Sequence, residues 1–204
     1  MYSLPKGLTA ATGMDALTHA IEGYITRGAW EMSDMFEIEA IRMISKYLPV
    51  AVSEPTNPEG RNGMALAQYI AGMAFSNVGL GLVHGMAHPM GSLFDVPHGV
   101  ANALLLPTIM EFNMPACLDK YPAIAQAMGV DIAGMSKQEA SQAAVEAVRK
   151  LSLEVGIPQT LNELGIAEKD IPALAGQALA DVCTPGNPRE VTLDDIVTLY
   201  KKCL

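Results

Sequence analysis

Apolar positions along this chain recur at helical rather than alternating intervals. Between residues 33 and 48, Met35, Phe36, Ile38, Ile41, Met43, Ile44 and Leu48 follow the spacing of an apolar helix face. Ser33 is placed to cap that helix, and Pro49 marks its end. Upstream, residues 12–26 read as a helix that carries Leu17, Ala20, Ile21 and Tyr24 and is weakened at its end by Gly23 and Gly28. The stretch SEPTNPEGRNG reads as a surface loop, and residues 63–75 as a third helix whose small residues Ala65, Ala67, Ala71, Gly72 and Ala74 permit close approach. From His98 an apolar helix runs into Pro107, where a prolyl kink is expected. Amphipathic helices follow over residues 115–128, 136–155, 168–182 and 192–204, the second opened by the capping box Ser136-x-x-Glu139. β-branched alternating runs are almost absent and no repeat is evident, so the expected class is all-α, a helical bundle forming one domain over residues 1–204.

Composition narrows the setting. A chain of 204 residues with 50% hydrophobic content has material for one sizeable core. A net charge of −9 argues against nucleic acid or an anionic membrane as the main partner. The three cysteines, Cys117, Cys183 and Cys203, are odd in number and far apart, which suits a reducing cytoplasm better than a disulfide framework. The start MYSLPKGLTAATG lacks the basic-then-apolar pattern of a secretory signal, and no charge-free apolar run is long enough to span a bilayer.

The chemistry concentrates in two segments that hold all four histidines. His19 lies in TGMDALTHAIEGYIT, and His84, His88 and His98 lie in GLGLVHGMAHPMGSLFDVPHGVAN. Asp15 and His19 are at i,i+4 spacing, as are His84 and His88, so each pair shares a helix face about one turn apart. Pro89 biases His88 away from the ideal helical position, so His84 and His88 need not do the same job; spacing alone does not separate them. His98 follows Pro97 and is expected at a helix N-terminus, where the helix dipole disfavours imidazolium and leaves the neutral ring a metal needs. Any one of these histidines reads as an ordinary buried residue. One aspartate with four clustered histidines reads as a metal centre. Gly79-x-Gly81 lacks a preceding strand and the dinucleotide-binding spacing, so it is read as a helix start close to a site. The segment from Cys183 to Arg189 reads as a turn-rich connection between helices, and nothing supplies Cys183 with a cationic neighbour that would activate its thiol.

These two segments, together with YPAIAQAMGV, AVEAVRKLSLEVGIP, EKDIPALA and CTPGNPRE, resemble the iron-dependent, group III, alcohol dehydrogenase family over essentially the whole chain. The similarity is greatest to its lactaldehyde reductase (1,2-propanediol oxidoreductase) branch. The resemblance implies the C-terminal helical domain of the iron-containing alcohol dehydrogenase and dehydroquinate synthase-like fold. It implies Asp15, His19, His84 and His98 as metal ligands, and His88 off the metal, beside the nicotinamide and in line to relay the alcohol proton. It further implies Phe75 and Cys183 as walls of the substrate pocket, and a small alcohol or aldehyde as substrate. The α/β dinucleotide-binding domain that the family carries ahead of this region has no counterpart in residues 1–204, so weak or absent NAD(H) binding is expected. An apolar face left uncovered favours a homodimer or other self-association.

Imidazole ligands suit iron, zinc and nickel alike. Four protein ligands would close a tetrahedral zinc site, whereas Fe(II) accepts further coordination; Fe(2+) is therefore preferred, with Zn(2+) as the alternative. Two other functions stay open at this point. One is a metal-dependent hydrolase, for which Glu22 is the nearby acidic candidate for general base; the other is a metal-binding helical module without turnover.

Overall fold

The computed structural model describes residues 3–204. Among the described residues there are nine α-helices and no strand, so the class is all-α as the apolar spacing predicts. The helices are α1 (Lys6–Ile25), α2 (Glu31–Ser53), α3 (Pro58–Val78), α4 (Leu82–Phe94), α5 (His98–Asn113), α6 (Tyr121–Ala127), α7 (Lys137–Glu154), α8 (Ile171–Ala180) and α9 (Leu193–Lys202). Short 3-10 turns at Met114–Ala116, Asn162–Leu164, Glu168–Asp170 and Thr184–Gly186 make several of the corners.

Helix α1 is the hub, packing on α2, α3 and α5, with Met14, Leu17, Ala20 and Ile21 all fully buried. A helix surrounded in this way is apolar on most faces, so any polar group on it is held by specific partners or used. Gly99 lets α5 meet α1 closely: a Cβ there would overlap the Ala11 carbonyl and lie 3.2 Å from the Asp15 Cβ. This crossing seats the start of α5 beside Asp15. Helix α4 then packs between α5 and α8.

Several element boundaries differ from the sequence expectation. Helix α1 begins at Lys6 rather than near residue 12. Trp30 is the N-cap of α2, and Ser33 sits one turn inside, where its hydroxyl accepts the Trp30 N–H at 3.0 Å and donates to the Trp30 carbonyl at 2.8 Å. Pro49 does not end α2, which continues to Ser53. A proline removes one backbone donor, a local cost that the long packed face between α2 and α3 outweighs. Most of the supposed 53–63 loop is helical. Asn57 caps α3 by accepting the Glu59 and Gly60 N–H groups at 2.9 and 3.3 Å, and Pro58 takes the first helical turn, where its missing donor is harmless. Helix α5 runs through Pro107 to Asn113 as expected, and Pro89 lies inside α4. The stretch 115–128 is α-helical only over Tyr121–Ala127, and 168–182 opens with a 3-10 turn before α8. The Ser136–Glu139 capping box forms as expected, with the Ser136 N–H on Glu139 Oε2 at 2.8 Å. Met35 and Phe36 fit the apolar period yet are 71% and 37% exposed, so they are not core.

Among the described residues, the core holds one carboxyl without a hydrogen-bond partner. Glu37 on α2 is 0% exposed, lies over Gly23 of α1, and neither of its oxygens is hydrogen-bonded. Burial, aided by the nearby Asp34 charge, pushes its pKa up to about 9. The folded state therefore keeps a proton that the unfolded chain releases above about 4.5, and stability falls as pH rises between those two values. Glu37→Gln removes the titration while keeping the shape. It is expected to raise the melting temperature at pH 8, by the equivalent of about 1–3 kcal/mol, with the gain shrinking toward pH 5. Parallel thermal melts at the two pH values check this; an equal effect at both would show that Glu37 is not held protonated.

Candidate metal centre

Asp15, His19 and His84 place one ligand atom each within 4.8 Å of one another, where α1 meets the start of α4. Both imidazoles are fixed by their Nδ1 atoms. His19 Nδ1–H donates to the Asp15 backbone carbonyl at 2.8 Å, an i,i+4 contact within α1. His84 Nδ1–H donates to Glu22 Oε2 at 2.6 Å. With the proton on Nδ1 in each ring, both Nε2 atoms carry lone pairs, which is the tautomer a metal requires.

Glu22 is the anchor of this arrangement. It is 2% exposed, and besides His84 it accepts the Val83 N–H at 2.7 Å and the His84 backbone N–H at 3.3 Å. These backbone groups open α4, whose first donors have no intrahelical partner. One carboxylate thus caps a helix and sets the orientation of a ring on that helix. Gly81, the N-cap, brings the chain close enough, and Asn187 Oδ1 takes the Leu82 N–H at 3.3 Å.

His98 opens α5 as its spacing after Pro97 predicts. Its Nε2 lies 3.4 Å from Asp15 Oδ1, so it joins the cluster from the Asp15 side. Asn102, one turn further along α5, has Nδ2 at 2.7 Å from Asp15 Oδ1, 3.0 Å from His84 Nε2 and 3.1 Å from His98 Nε2. Three electron-pair donors therefore converge on one small polar group, and Asn102 Oδ1 is buried without a hydrogen bond. The donor set, one carboxylate and neutral imidazoles, fits a divalent transition metal. Burial lowers the His19 pKa, as does repulsion from His84, and burial also lowers that of His98, so the uncharged rings prevail at neutral pH.

His88 stands apart from that cluster. Its Nδ1 hydrogen-bonds Asp181 Oδ2 at 2.8 Å, its side chain is 41% exposed, and its ring stacks on His98 with centroids 5.5 Å apart. Phe75 packs against the His19 ring at 4.3 Å. It also lines a cavity of about 460 Å³ whose wall includes Asp15, His19, Arg61 and Gln68. Cys183 does not line that cavity and lies instead with Asp181 on the His88 side. The connection from Cys183 to Arg189 is more than a link: Asn187 and Asn113 exchange amide hydrogen bonds at 2.7 and 2.8 Å, tying it to the end of α5. Sequence reading did not assign Glu22, Asn102 or Asp181 these roles. Only Asn102 carried a local signal, its i,i+4 spacing from His98.

A profile of the Fe-containing alcohol dehydrogenase family, C-terminal, matches residues 9–204. The chain is 58% identical over 200 residues to lactaldehyde reductase of Escherichia coli strain K12, covering 98% of this chain and 52% of that protein. It is 43% identical to the NAD-dependent methanol dehydrogenase of Bacillus methanolicus, covering 100% of this chain and 54% of that one. The crystal structure of a 1,3-propanediol oxidoreductase superposes with a TM-score of 0.99 at 45% identity, over 100% of this chain and 53% of the other. The chain thus spans about half the length of the relatives it matches.

Proposed function

Because this chain belongs to the Fe-containing alcohol dehydrogenase family and matches its C-terminal region, we propose that it is the metal-binding, catalytic half of an NAD-linked alcohol dehydrogenase. The reaction interconverts a small aldehyde and its alcohol, with lactaldehyde and 1,2-propanediol as the substrate class. The observation that carries this reading is the convergence of Asp15, His19 and His84, with both Nδ1 atoms committed elsewhere and both Nε2 atoms left with the lone pair that ligates.

Asp15, His19, His84 and His98 would hold the ion, Fe(2+) preferred and Zn(2+) the alternative. Such an ion supplies Lewis-acid polarisation of the substrate oxygen, and a nicotinamide supplied with the rest of the relatives' length accepts or gives the hydride. The protein's own part is orientation and proton handling. His88 donates Nδ1–H to Asp181, which leaves Nε2 as the acceptor for the alcohol proton, and it would lie beside the nicotinamide when one is bound. Phe75 walls the cavity beside His19, and Cys183 bounds the site beyond His88. Residues 1–204 form one domain, NAD(H) binding by this domain alone is weak, and self-association is expected. Three free cysteines suit the cytoplasm.

The hydrolase alternative loses its base, since both Glu22 oxygens are occupied by the donors that open α4 and by the His84 ring. NADH oxidation by a short aldehyde, measured with and without a separately supplied nucleotide-binding domain, tests the proposal. Turnover is expected only in the reconstituted mixture, and His88→Ala should slow it while leaving the metal held at the Asp15 cluster nearly intact. Aldehyde-independent metal binding with no turnover under any reconstitution would favour a binding module instead.

A further inference from the structure

A second group of metal-ligating side chains lies outside the Asp15 cluster. One ligand atom each from His88, Asp181 and Cys183 falls within 4.8 Å of the others. The trio is built by three separate features. A Cβ at Gly85 would overlap the Thr184 hydroxyl, so this glycine lets α4 close on the 183–189 connection and sets His88, one turn later, against the end of α8. Asp181, the C-cap of α8, is fixed through both oxygens: Oδ1 accepts the Cys183 N–H at 2.8 Å and Oδ2 takes His88 Nδ1–H at 2.8 Å. That turn brings the Cys183 thiol round to the same side. Asp181 is 15% exposed and Cys183 half-buried, while His88 keeps the site open to solvent.

We propose that His88, Asp181 and Cys183 form a second cation site, specific for a thiophilic divalent ion such as Zn(2+) or Cd(2+). Imidazole, carboxylate and sulfur together match the ligand preferences of these ions and not those of Mg(2+) or Ca(2+). Three protein ligands leave a coordination position for water, the arrangement of an accessible rather than a closed structural site. Burial and the Asp181 and Glu22 charges push the Cys183 thiol up to about 12. The negative charges that oppose the free thiolate favour a cation beside it: as the ion binds, the sulfur releases its proton to solvent, and where Nδ1 of His88 is the ligating atom the ring carries its proton on Nε2 instead. Hard ions do not drive that exchange. An ion here engages the imidazole and carboxylate assigned above to proton transfer, so excess zinc would act as an inhibitor; the binding itself does not depend on that assignment.

Cadmium titration of the 204-residue chain tests the proposal, followed by equilibrium dialysis and by sulfur-to-cadmium charge-transfer absorption. An Asp15→Ala, His84→Ala double variant is expected still to bind one Cd(2+) with the absorption band. Adding Cys183→Ser should remove the band and weaken binding at least about 10-fold, the low end of what even an outer-shell partner is worth. Should the double variant fail to fold by circular dichroism, the same comparison is made in the unmodified background, where Cys183→Ser lowers the stoichiometry from two ions to one. A missing band, or a band that survives Cys183→Ser and so belongs to Cys117 or Cys203, overturns the proposal.

Discussion

His84→Ala is expected to leave a folded chain that no longer holds iron or zinc at the Asp15 cluster. The ring is 1% exposed, and its Nε2 is one of the atoms that converge on Asn102 Nδ2. Losing an outer-shell partner typically costs 10–100-fold in metal affinity, and a lost ligand costs more than that. The fold should tolerate the change better than the site does. Glu22 keeps two of its three donors, because the Val83 and His84 backbone N–H groups do not depend on the side chain. Asp15→Ala should act similarly on the metal, since Asp15 Oδ1 lies within 4 Å of His19, His84 and His98 ring nitrogens. Elemental analysis and competition titration against a chelator measure both variants. Unchanged stoichiometry and affinity in His84→Ala would remove this residue from the ligand set and with it the proposed centre.

That centre was legible in the sequence wherever it depends on local spacing. The i,i+4 pair Asp15–His19 shares a face because a helix puts its members one turn apart. His84 and His88 share that spacing yet separate, because each ring is turned by a partner more than sixty residues away, Glu22 for one and Asp181 for the other. No local pattern reveals such a partner. The fold class was legible for the same reason the local pair was: apolar residues at helical intervals need no knowledge of their partners. Boundaries were less so. Pro49 looks like a helix stop, yet it sits inside α2, whose packed face continues on both sides of it. Met35 and Phe36 show the converse, since periodicity marks a face as apolar without saying whether another element covers it.

Glu22 carries the second large effect, and its two obvious variants should fail in different ways. In Glu22→Ala the Val83 and His84 N–H groups lose their acceptor inside the protein, and the His84 ring loses its orientation. Hydrogen bonds to a charged group are worth about 1.5–3 kcal/mol each and are not additive within one cluster, so a destabilisation of at least about 3 kcal/mol is expected. For a chain of this size that is a drop in melting temperature of roughly 6–12 °C. Glu22→Gln keeps the shape and one acceptor oxygen, so the helix start survives. Its amide, however, turns a donor toward His84 Nδ1, which favours the proton on Nε2 and removes the lone pair that faces the Asp15 cluster. Metal affinity should then fall about 10–100-fold, as for other outer-shell partners, with only a modest loss of stability. Calorimetric melting of the metal-free variants separates the structural role of Glu22 from its effect on the ring, and metal titration reads the latter. A Glu22→Gln chain that binds metal like the unmodified protein would show that the His84 tautomer is set by something other than this carboxylate.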